Sequence, residues 1–199
     1  LIRLHSPRTH RMGTLARIGS GGFGIAGDPW GCERQVRHSR EGLILKANEE
    51  TCASKTTYLE DGGLVVWMGN EDLDLIRGPG EGRRRYLDFI GAQIDANYRR
   101  SWSRYRRALR AKNVLLKEGR PRDAEILSYE EILVEHGSVL MQARAKLVEE
   151  LTPLAASAQN AVSGKDEPLT LQYLPASGPD LRESMLQARE RETRLRQAV

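Results

Sequence analysis

The stretch WMGNEDLDLIRGPGEGRRRYLD (67–88) decides how this chain is organised. It places an acidic turn, several glycines and a cluster of arginines one after another. Short apolar runs precede the stretch and a long helical periodicity follows it, so the pattern changes here from strands to helices. The order of these charges also makes the stretch the first place to look for function.

The region before this stretch carries short apolar runs separated by glycines and prolines. Such punctuation is typical of antiparallel strands. The runs that we interpret as strands are LARI, FGIAG, RQVRHS, LILKA and LVVWM, all between residues 15 and 68.

Two long helical patterns follow. From about Gly82 to Leu109 the apolar residues recur every three or four positions, which predicts one face of a long helix that ends before Pro121. A nearly heptad pattern from Ile126 to Ala158 predicts a second helix. Because the connection is short, the two helices are expected to pack antiparallel as a projecting hairpin.

The last part of the sequence predicts that the chain returns from the hairpin to the sheet. The segment LTLQYLP (169–175) alternates like a strand that rejoins a sheet, and a last helix is predicted from near Pro179. We therefore predict an α+β fold in which an antiparallel β-lobe carries an inserted helical hairpin arm. The predicted domains are a β-rich lobe (1–80), the arm (81–163), and a return strand and helix (164–199).

Composition narrows the class of protein. The chain has 199 residues, 39% of them hydrophobic, and no apolar run of the roughly 20 residues that span a bilayer. It begins at Leu1 without the apolar core of a signal peptide, so we expect a cytoplasmic protein and a piece of a longer one. Cys32 and Cys52 are the only cysteines and the four histidines are scattered, which indicates neither a zinc site nor a disulfide framework.

Positive charge is concentrated in one part of the chain. Eleven of the 31 Lys and Arg residues lie between Arg83 and Lys117, where Asp88 and Asp95 are the only acidic residues. The rest of the chain is consequently net negative. A concentrated basic face is the usual electrostatic signature of a protein that binds phosphate groups.

Glycine-rich motifs do not provide a nucleotide site. The run GSGGFG (19–24) matches the spacing of a dinucleotide-binding loop, but the following IAGDPWG cannot form the helix that such a loop requires. A hairpin turn or bulge is the better interpretation. A phosphate-binding G-x-x-x-x-G-K-S/T loop is absent from the sequence.

Asn70, Glu71 and Asp72 follow the apolar run LVVWM. Two interpretations stay open. These residues could cap the next helix and interact favourably with the positive end of its dipole, or they could face a metal ion or a phosphate-linked water at the end of a strand.

Arg83, Arg84 and Arg85 lie at the start of the basic helix, where positive charge opposes the helix dipole. They require a compensating anion, which could be Asp88 or Asp74, or else a phosphate.

Aromatic residues are interleaved with the arginines further along the same helix. Tyr98, Trp102 and Tyr105 recur with helical spacing, so we interpret them as seam residues and not as base-stacking platforms. The remaining sequence shows no convincing nucleophile with an adjacent base.

The order of segments resembles the RecF family of DNA repair and recombination proteins. The resemblance extends over nearly the whole chain and is most specific between Glu71 and Asp88. The segments that carry it are Ser6–Thr9 (S-x-R-T), FGIAG, EDLDLIRGPGEGRRRYLD, YRRALRAKNVLLK, EHGSVLMQARAKLVEEL and the terminal QARERETRLRQAV.

This resemblance implies a head of the ABC or SMC type that binds ATP and Mg²⁺ and dimerises on ATP. It implies binding of DNA, including single-stranded DNA, at single-strand/double-strand junctions, a place in the SOS response, and loading of RecA with RecO and RecR. The family's phosphate loop would precede Leu1, and its signature and acidic metal-binding motifs would follow Val199. The resemblance places Arg8, Asn70 and Glu71 near the nucleotide and magnesium.

For DNA binding, we predict a set of arginines in the basic segment. The set is Arg83, Arg84, Arg85, Arg99, Arg100, Arg104 and Arg107. ATPase activity is expected only where the full set of family motifs is present. The alternative is a non-enzymatic coiled-coil adaptor whose hairpin engages a protein partner and whose basic face is merely solvated.

Overall fold

The computed structural model describes residues 3–4, 9, 11–60, 62–66, 69–118, 123–178 and 180–198, without the side chains of Asn70 and Glu71. The chain forms two compact units, one that ends at Asp72 and one that begins at Leu73. The first contains a sheet and the second is helical. Among the described residues, no helix has the length and apolar character needed to cross a membrane.

The first unit is built on a four-stranded antiparallel sheet in the order β1-β2-β3-β4. The strands are β1 (Gly22–Gly27), β2 (Arg34–Ser39), β3 (Gly42–Ala47) and β4 (Glu50–Thr51). Asn48 and Glu49 join β3 to β4 with φ angles of 47° and 68°, the left-handed geometry of a tight two-residue hairpin.

A small apolar core covers one face of this sheet. Val36, Leu45 and Tyr58, the last from α1 (Lys55–Glu60), are almost fully buried there. The guanidinium of Arg34 lies 4.8 Å from the centroid of the Tyr58 ring and donates a hydrogen bond to the Tyr58 carbonyl. These contacts attach α1 to the sheet. At the sheet edge, a side chain on Gly22 would collide with the His38 carbonyl oxygen 2.1 Å away, so this position requires glycine.

Two of the predicted strands are wrong. LARI (15–18) follows a 3₁₀ turn at Met12–Leu15 and enters no strand. Within LVVWM, residues 64–66 are not part of the sheet, and Trp67 and Met68 lie outside the described residues. Both runs are apolar, but a strand also needs a neighbouring strand to accept its backbone hydrogen bonds.

The second unit contains five helices among its described residues. They are α2 (Asp74–Arg77), α3 (Gly80–Ile94), α4 (Ala96–Glu118), α5 (Asp123–Ser163) and α6 (Leu181–Leu195). The 41 residues of α5 correspond to a length of about 60 Å at 1.5 Å per residue. Pro153 lies inside this helix.

The predicted first long helix is divided into α3 and α4 at Asp95. Asp95 has extended φ and ψ angles of −131° and 117°, and its side chain accepts a hydrogen bond from the backbone N–H of Asn97 at 2.7 Å. It therefore acts as the N-cap of α4. Gly91 of α3 allows Tyr98 to pack close by, since an added Cβ would lie 3.0 Å from the ring.

α4 and α5 pack antiparallel, as predicted. Three contacts establish the direction, because residue numbers rise along α4 as they fall along α5. The contacting pairs are Tyr98 with Arg144, Tyr105 with Gly137, and Lys112 with Glu130.

The predicted return strand at 169–175 does not form. Gly164, with φ of 66°, ends α5, and the following segment runs back along α5 without pairing with a strand. The side chain of Asn160 accepts from the backbone N–H of Glu167 at 3.1 Å, and Ser177 donates to the sulfur of Met141 at 3.6 Å. The alternation of this segment thus reflects contact with a helix.

Candidate nucleic-acid interface

The outward face of α4 carries basic residues from Arg100 to Lys117, and the helix ends at an acidic residue, Glu118. No Asp or Glu occurs between residues 96 and 117. Helical spacing groups the exposed cations on the side of α4 that faces away from α5. These cations are Arg100, Arg104, Arg106, Arg107, Arg110 and Lys117, and we call them the α4 basic face.

The members of this face have few partners among the described residues. Arg100 donates to the side-chain oxygen of Asn97 at 2.8 Å, and the Arg106 guanidinium lies 4.9 Å from the Trp102 ring centroid. No carboxylate in the described part of the chain forms an ion pair with Arg104, Arg107 or Arg110. Their charge is therefore available to an external anion.

Three of these cations were missing from the predicted set. Arg106, Arg110 and Lys117 lie on the same outward face as Arg100, Arg104 and Arg107. Projecting the sequence on a helix at about 100° per residue would have included them.

The face of α4 that meets α5 also contains charge, but that charge is neutralised. Lys112 is 1% exposed, and its Nζ lies 2.6 Å from a carboxylate oxygen of Glu192 and 3.1 Å from one of Glu130. Arg189 of α6 donates to the other oxygen of Glu130. Two carboxylates thus balance Lys112 and Arg189, and the cluster links α4, α5 and α6.

A second buried cluster lies where α3, α4 and α5 meet. Tyr98 donates a hydrogen bond to Asp88, and the guanidinium of Arg144 donates to Asp88 from Nη2 at 2.7 Å and from Nε at 2.9 Å. Burial and the hydrogen bond to Asp88 raise the pKa of Tyr98, so its phenol stays protonated. Burial alone would lower the pKa of Arg144, but its interactions with Asp88, Tyr98 and Tyr173 together outweigh burial and the pKa rises.

This arrangement corrects the role expected for Asp88. From the sequence, Asp88 or Asp74 was one predicted source of the negative charge that compensates Arg83, Arg84 and Arg85. Asp88 is 8% exposed and is occupied by Tyr98 and Arg144.

Each of the three adjacent arginines has a different environment. Arg83 donates from Nη1 to the carbonyls of Leu75 at 2.9 Å and Gly78 at 3.0 Å, which satisfies backbone oxygens at the end of α2. Arg85 pairs with Glu81 one helical turn earlier at 2.5 Å. Arg84 is exposed and enters no ion pair with a described residue, so it is the member best placed to meet an external anion.

Arg99 also has a local structural contact. It is half-buried and donates from Nη1 to the Ala92 carbonyl at 2.9 Å, across the junction of α3 and α4. Tyr98 is 1% exposed and Tyr105 and Trp102 are half-buried, consistent with their interpretation as seam residues.

The three residues expected to face the nucleotide cannot be placed. Arg8 and the side chains of Asn70 and Glu71 lie outside the described residues. The backbone from Asn70 to Leu73 forms a 3₁₀ turn, in which the side chain of Asp72 accepts from the Gly69 N–H at 2.6 Å. Asp72 thus stabilises its own turn. Among the described residues, no three His, Cys, Asp or Glu side chains are grouped to hold a metal ion.

Comparison with known proteins identifies the family. The DNA replication and repair protein RecF of Thermosynechococcus vestitus is 33% identical over 183 residues, which cover 87% of this chain and 48% of that protein. The RecF proteins of Gloeothece citriformis and Microcystis aeruginosa are 36% and 38% identical over 170 and 120 residues. The chain belongs to the RecF family. The chain spans 44% of the Gloeothece citriformis protein and 32% of the Microcystis aeruginosa protein. It therefore spans at most about half the length of these RecF relatives.

Solved structures agree on the fold. The recombination mediator protein RecF-ATPrS in the RecFOR pathway matches with a TM-score of 0.83 over 98% of this chain and 57% of that one, at 22% identity. A RecF-ATP structure matches with a TM-score of 0.76 at 19% identity. The α+β fold class predicted from the sequence is therefore confirmed. No family model matches the chain.

Proposed function

We propose that this chain acts in DNA replication and repair as part of a RecF-type recombination mediator, and that the α4 basic face binds the DNA backbone. The observation that carries the proposal is the absence of acidic residues between 96 and 117 beside exposed arginines that form no ion pair with a described residue. Arg84 at the start of α3 adds a further exposed cation without an ion pair to the described part of the chain. Membership of the RecF family supports DNA as the polyanion.

The spacing of the arginines suits a phosphate backbone. Arg100 and Arg107 are seven residues apart, or about 10 Å along the helix, which is about three times the 3.4 Å rise per nucleotide along the axis of duplex DNA. Arginine forms paired hydrogen bonds with phosphate oxygens. Contacts of this kind give affinity without sequence preference and weaken as salt rises.

The finer activities of the whole protein are part of the same proposal. They comprise ATP-dependent dimerisation with Mg²⁺, binding at single-strand/double-strand junctions, and loading of RecA with RecO and RecR. Within them, Arg8, Asn70 and Glu71 are proposed to face the nucleotide. Their support is family membership and the names of the matching RecF-ATPrS and RecF-ATP structures.

The DNA-binding proposal is tested with the triple variant Arg100→Gln, Arg104→Gln, Arg107→Gln. Binding of a fluorescein-labelled junction oligonucleotide is followed by fluorescence anisotropy between 50 and 200 mM salt. Loss of about three phosphate contacts should weaken binding at least tenfold at 100 mM salt. It should also reduce the slope of log K against log salt by roughly 2 to 3.

A charge-matched control separates this surface from net charge. Replacing Lys146, Arg191 and Arg194 by Gln removes the same charge from other exposed positions. This control should lose less than threefold in affinity. Equal losses in both variants, or unchanged binding by the first, would rule out a specific DNA contact at the α4 basic face.

The adaptor alternative gives the opposite result. If Arg84→Ala together with Arg85→Ala leaves oligonucleotide affinity unchanged but abolishes capture of purified RecR, the basic segment serves a protein contact.

A further inference from the structure

An exposed tryptophan lies in a strained backbone conformation in the first unit. Trp30, between β1 and β2, is 70% exposed and has φ and ψ of 57° and 38°. A bulky side chain rarely adopts this left-handed conformation, because it is sterically strained. Strain of this kind, on a residue that contributes little to a core, calls for an explanation in terms of function.

The neighbourhood of Trp30 is apolar on one side. A Cβ added to Gly63 would lie 2.3 Å from a carbon of the Trp30 ring, so the ring rests directly on the Gly63 backbone. Leu64 and Val66, in the same extended segment, are 61% and 86% exposed. Large apolar side chains exposed together mark an interaction surface more often than a purely solvated one.

Exposed carboxylates lie in the Trp30 loop and in the hairpin that is hydrogen-bonded to it. Asp28 and Glu33 lie in the same loop as Trp30, and Glu49 and Glu50 lie at the hairpin between β3 and β4. None of the four forms an ion pair with a described residue.

Backbone hydrogen bonds hold these two segments together. The Asn48 N–H donates to the Glu33 carbonyl at 2.8 Å, and the Glu33 N–H donates to the side-chain oxygen of Asn48 at 3.1 Å. Glu33 and Glu49 also line an open depression of about 390 Å³ with Gln35 and Lys46. Among the described residues that line this depression, Lys46 is the only cation. The surface formed by Trp30, Leu64, Val66 and the four carboxylates is called the Trp30 corner.

We propose that the Trp30 corner binds an arginine-bearing segment of a partner protein. A guanidinium can stack on an exposed indole while carboxylates accept its N–H groups, and tryptophan and arginine are the residues most enriched in interface hot spots. The same carboxylates repel phosphate, which disfavours nucleic acid as the occupant. This surface belongs to the first unit, and the inference does not depend on DNA binding by α4.

The test measures binding of a fluorescein-labelled peptide with three arginines spaced by glycine, using fluorescence anisotropy with the 199-residue chain. A peptide with citrulline in place of arginine keeps the shape without the charge. We expect the arginine peptide to bind at least tenfold more tightly than the citrulline peptide.

Two variants locate the binding. Trp30→Gly removes the ring and suits the left-handed backbone, so the variant should fold, as a thermal melt by circular dichroism would verify. It should weaken binding of the arginine peptide at least tenfold. The triple variant Glu33→Gln, Glu49→Gln, Glu50→Gln should weaken binding by a similar factor. The charge-matched control, Glu41→Gln with Glu149→Gln and Glu190→Gln, should change binding less than twofold.

Three outcomes would overturn the proposal. They are equal affinity for the two peptides, unchanged peptide binding by folded Trp30→Gly, and equal loss in both carboxylate variants. If Trp30→Gly instead weakened binding of a single-stranded oligonucleotide and left the peptide unaffected, the corner would be a base-stacking site.

Discussion

Both faces of α4 carry basic residues, but these residues have ion-pair partners on one face and are exposed on the other. Towards α5, Lys112 is buried and held by Glu130 and Glu192. Away from α5, Arg104 and Arg107 are exposed and have no carboxylate partner among the described residues. The contrast shows that basic residues of one helix divide into structural and available charges according to the partners that tertiary structure supplies.

The largest effect is expected from breaking the inward cluster. Lys112→Met removes the cation that contacts both Glu130 and Glu192, and removal of one member of a buried ion pair costs about 4 kcal/mol. Urea denaturation followed by circular dichroism measures the change. Lys117→Met on the outward face is the matched control and should change the free energy of unfolding by less than about 0.5 kcal/mol. Equal effects of the two substitutions would show that Lys112 is not a structural charge.

A smaller loss is expected at the cluster where α3 meets α4 and α5. Asp88→Asn removes the charge that faces Arg144 but keeps a polar group beside Tyr98, so we expect a loss of about 3 kcal/mol in unfolding free energy. The same denaturation experiment applies. Asp74→Asn, an exposed acidic residue of the same unit, is the control. If Asp88→Asn were as stable as the wild type, Arg144 would not depend on this carboxylate.

These two clusters mark the limit of what the sequence could predict. The helical hairpin followed from periodicity because its apolar positions repeat every three or four residues. The sequence contains a local signal for the break at Asp95, since an aspartate before Ala96 and Asn97 is a good N-cap. However, the apolar residues keep their helical spacing across Asp95, and this periodicity predicted one continuous helix. The ion pair between Lys112 and Glu192 joins residues 80 positions apart, and no spacing rule connects them.

The same limit applies to the candidate DNA site. Charge density drew attention to the basic segment, but it could not separate Arg104 and Arg107 from Arg83, which donates to carbonyls at the end of α2. Apolar runs predicted β1, β2 and β3 correctly, but LARI, the return segment 169–175 and the described residues of LVVWM form no strand. An apolar run forms a strand only where a neighbouring strand accepts its hydrogen bonds, and the sequence does not show which segments become neighbours.

The outward face should contribute almost nothing to stability. In the variant Arg100→Gln, Arg104→Gln, Arg107→Gln, each change should alter the free energy of unfolding by no more than about 0.5 kcal/mol. Removal of neighbouring like charges one turn apart even favours the helix slightly. Urea denaturation of this variant beside Lys112→Met measures both faces in one experiment. A loss comparable with that of Lys112→Met would mean that the outward arginines support the fold.

The smallest effect is expected at an exposed ion pair between α5 and α6. Arg182 donates to both carboxylate oxygens of Glu131 at 2.6 and 2.7 Å, and these hydrogen bonds lower the pKa of Glu131 from its ordinary value of 4.5. A lowered pKa in the folded state adds stability above pH 4.5 that disappears as the pH falls through the folded-state value. Thermal melts of wild type and Glu131→Gln should therefore differ slightly at pH 7, and the difference should shrink as the pH falls below 4.5. Glu149→Gln, an exposed carboxylate on the same helix that forms no ion pair with a described residue, should show no such pH-dependent difference. A gap that persisted unchanged at pH 3 would mean that ionisation of Glu131 does not stabilise the attachment of α6.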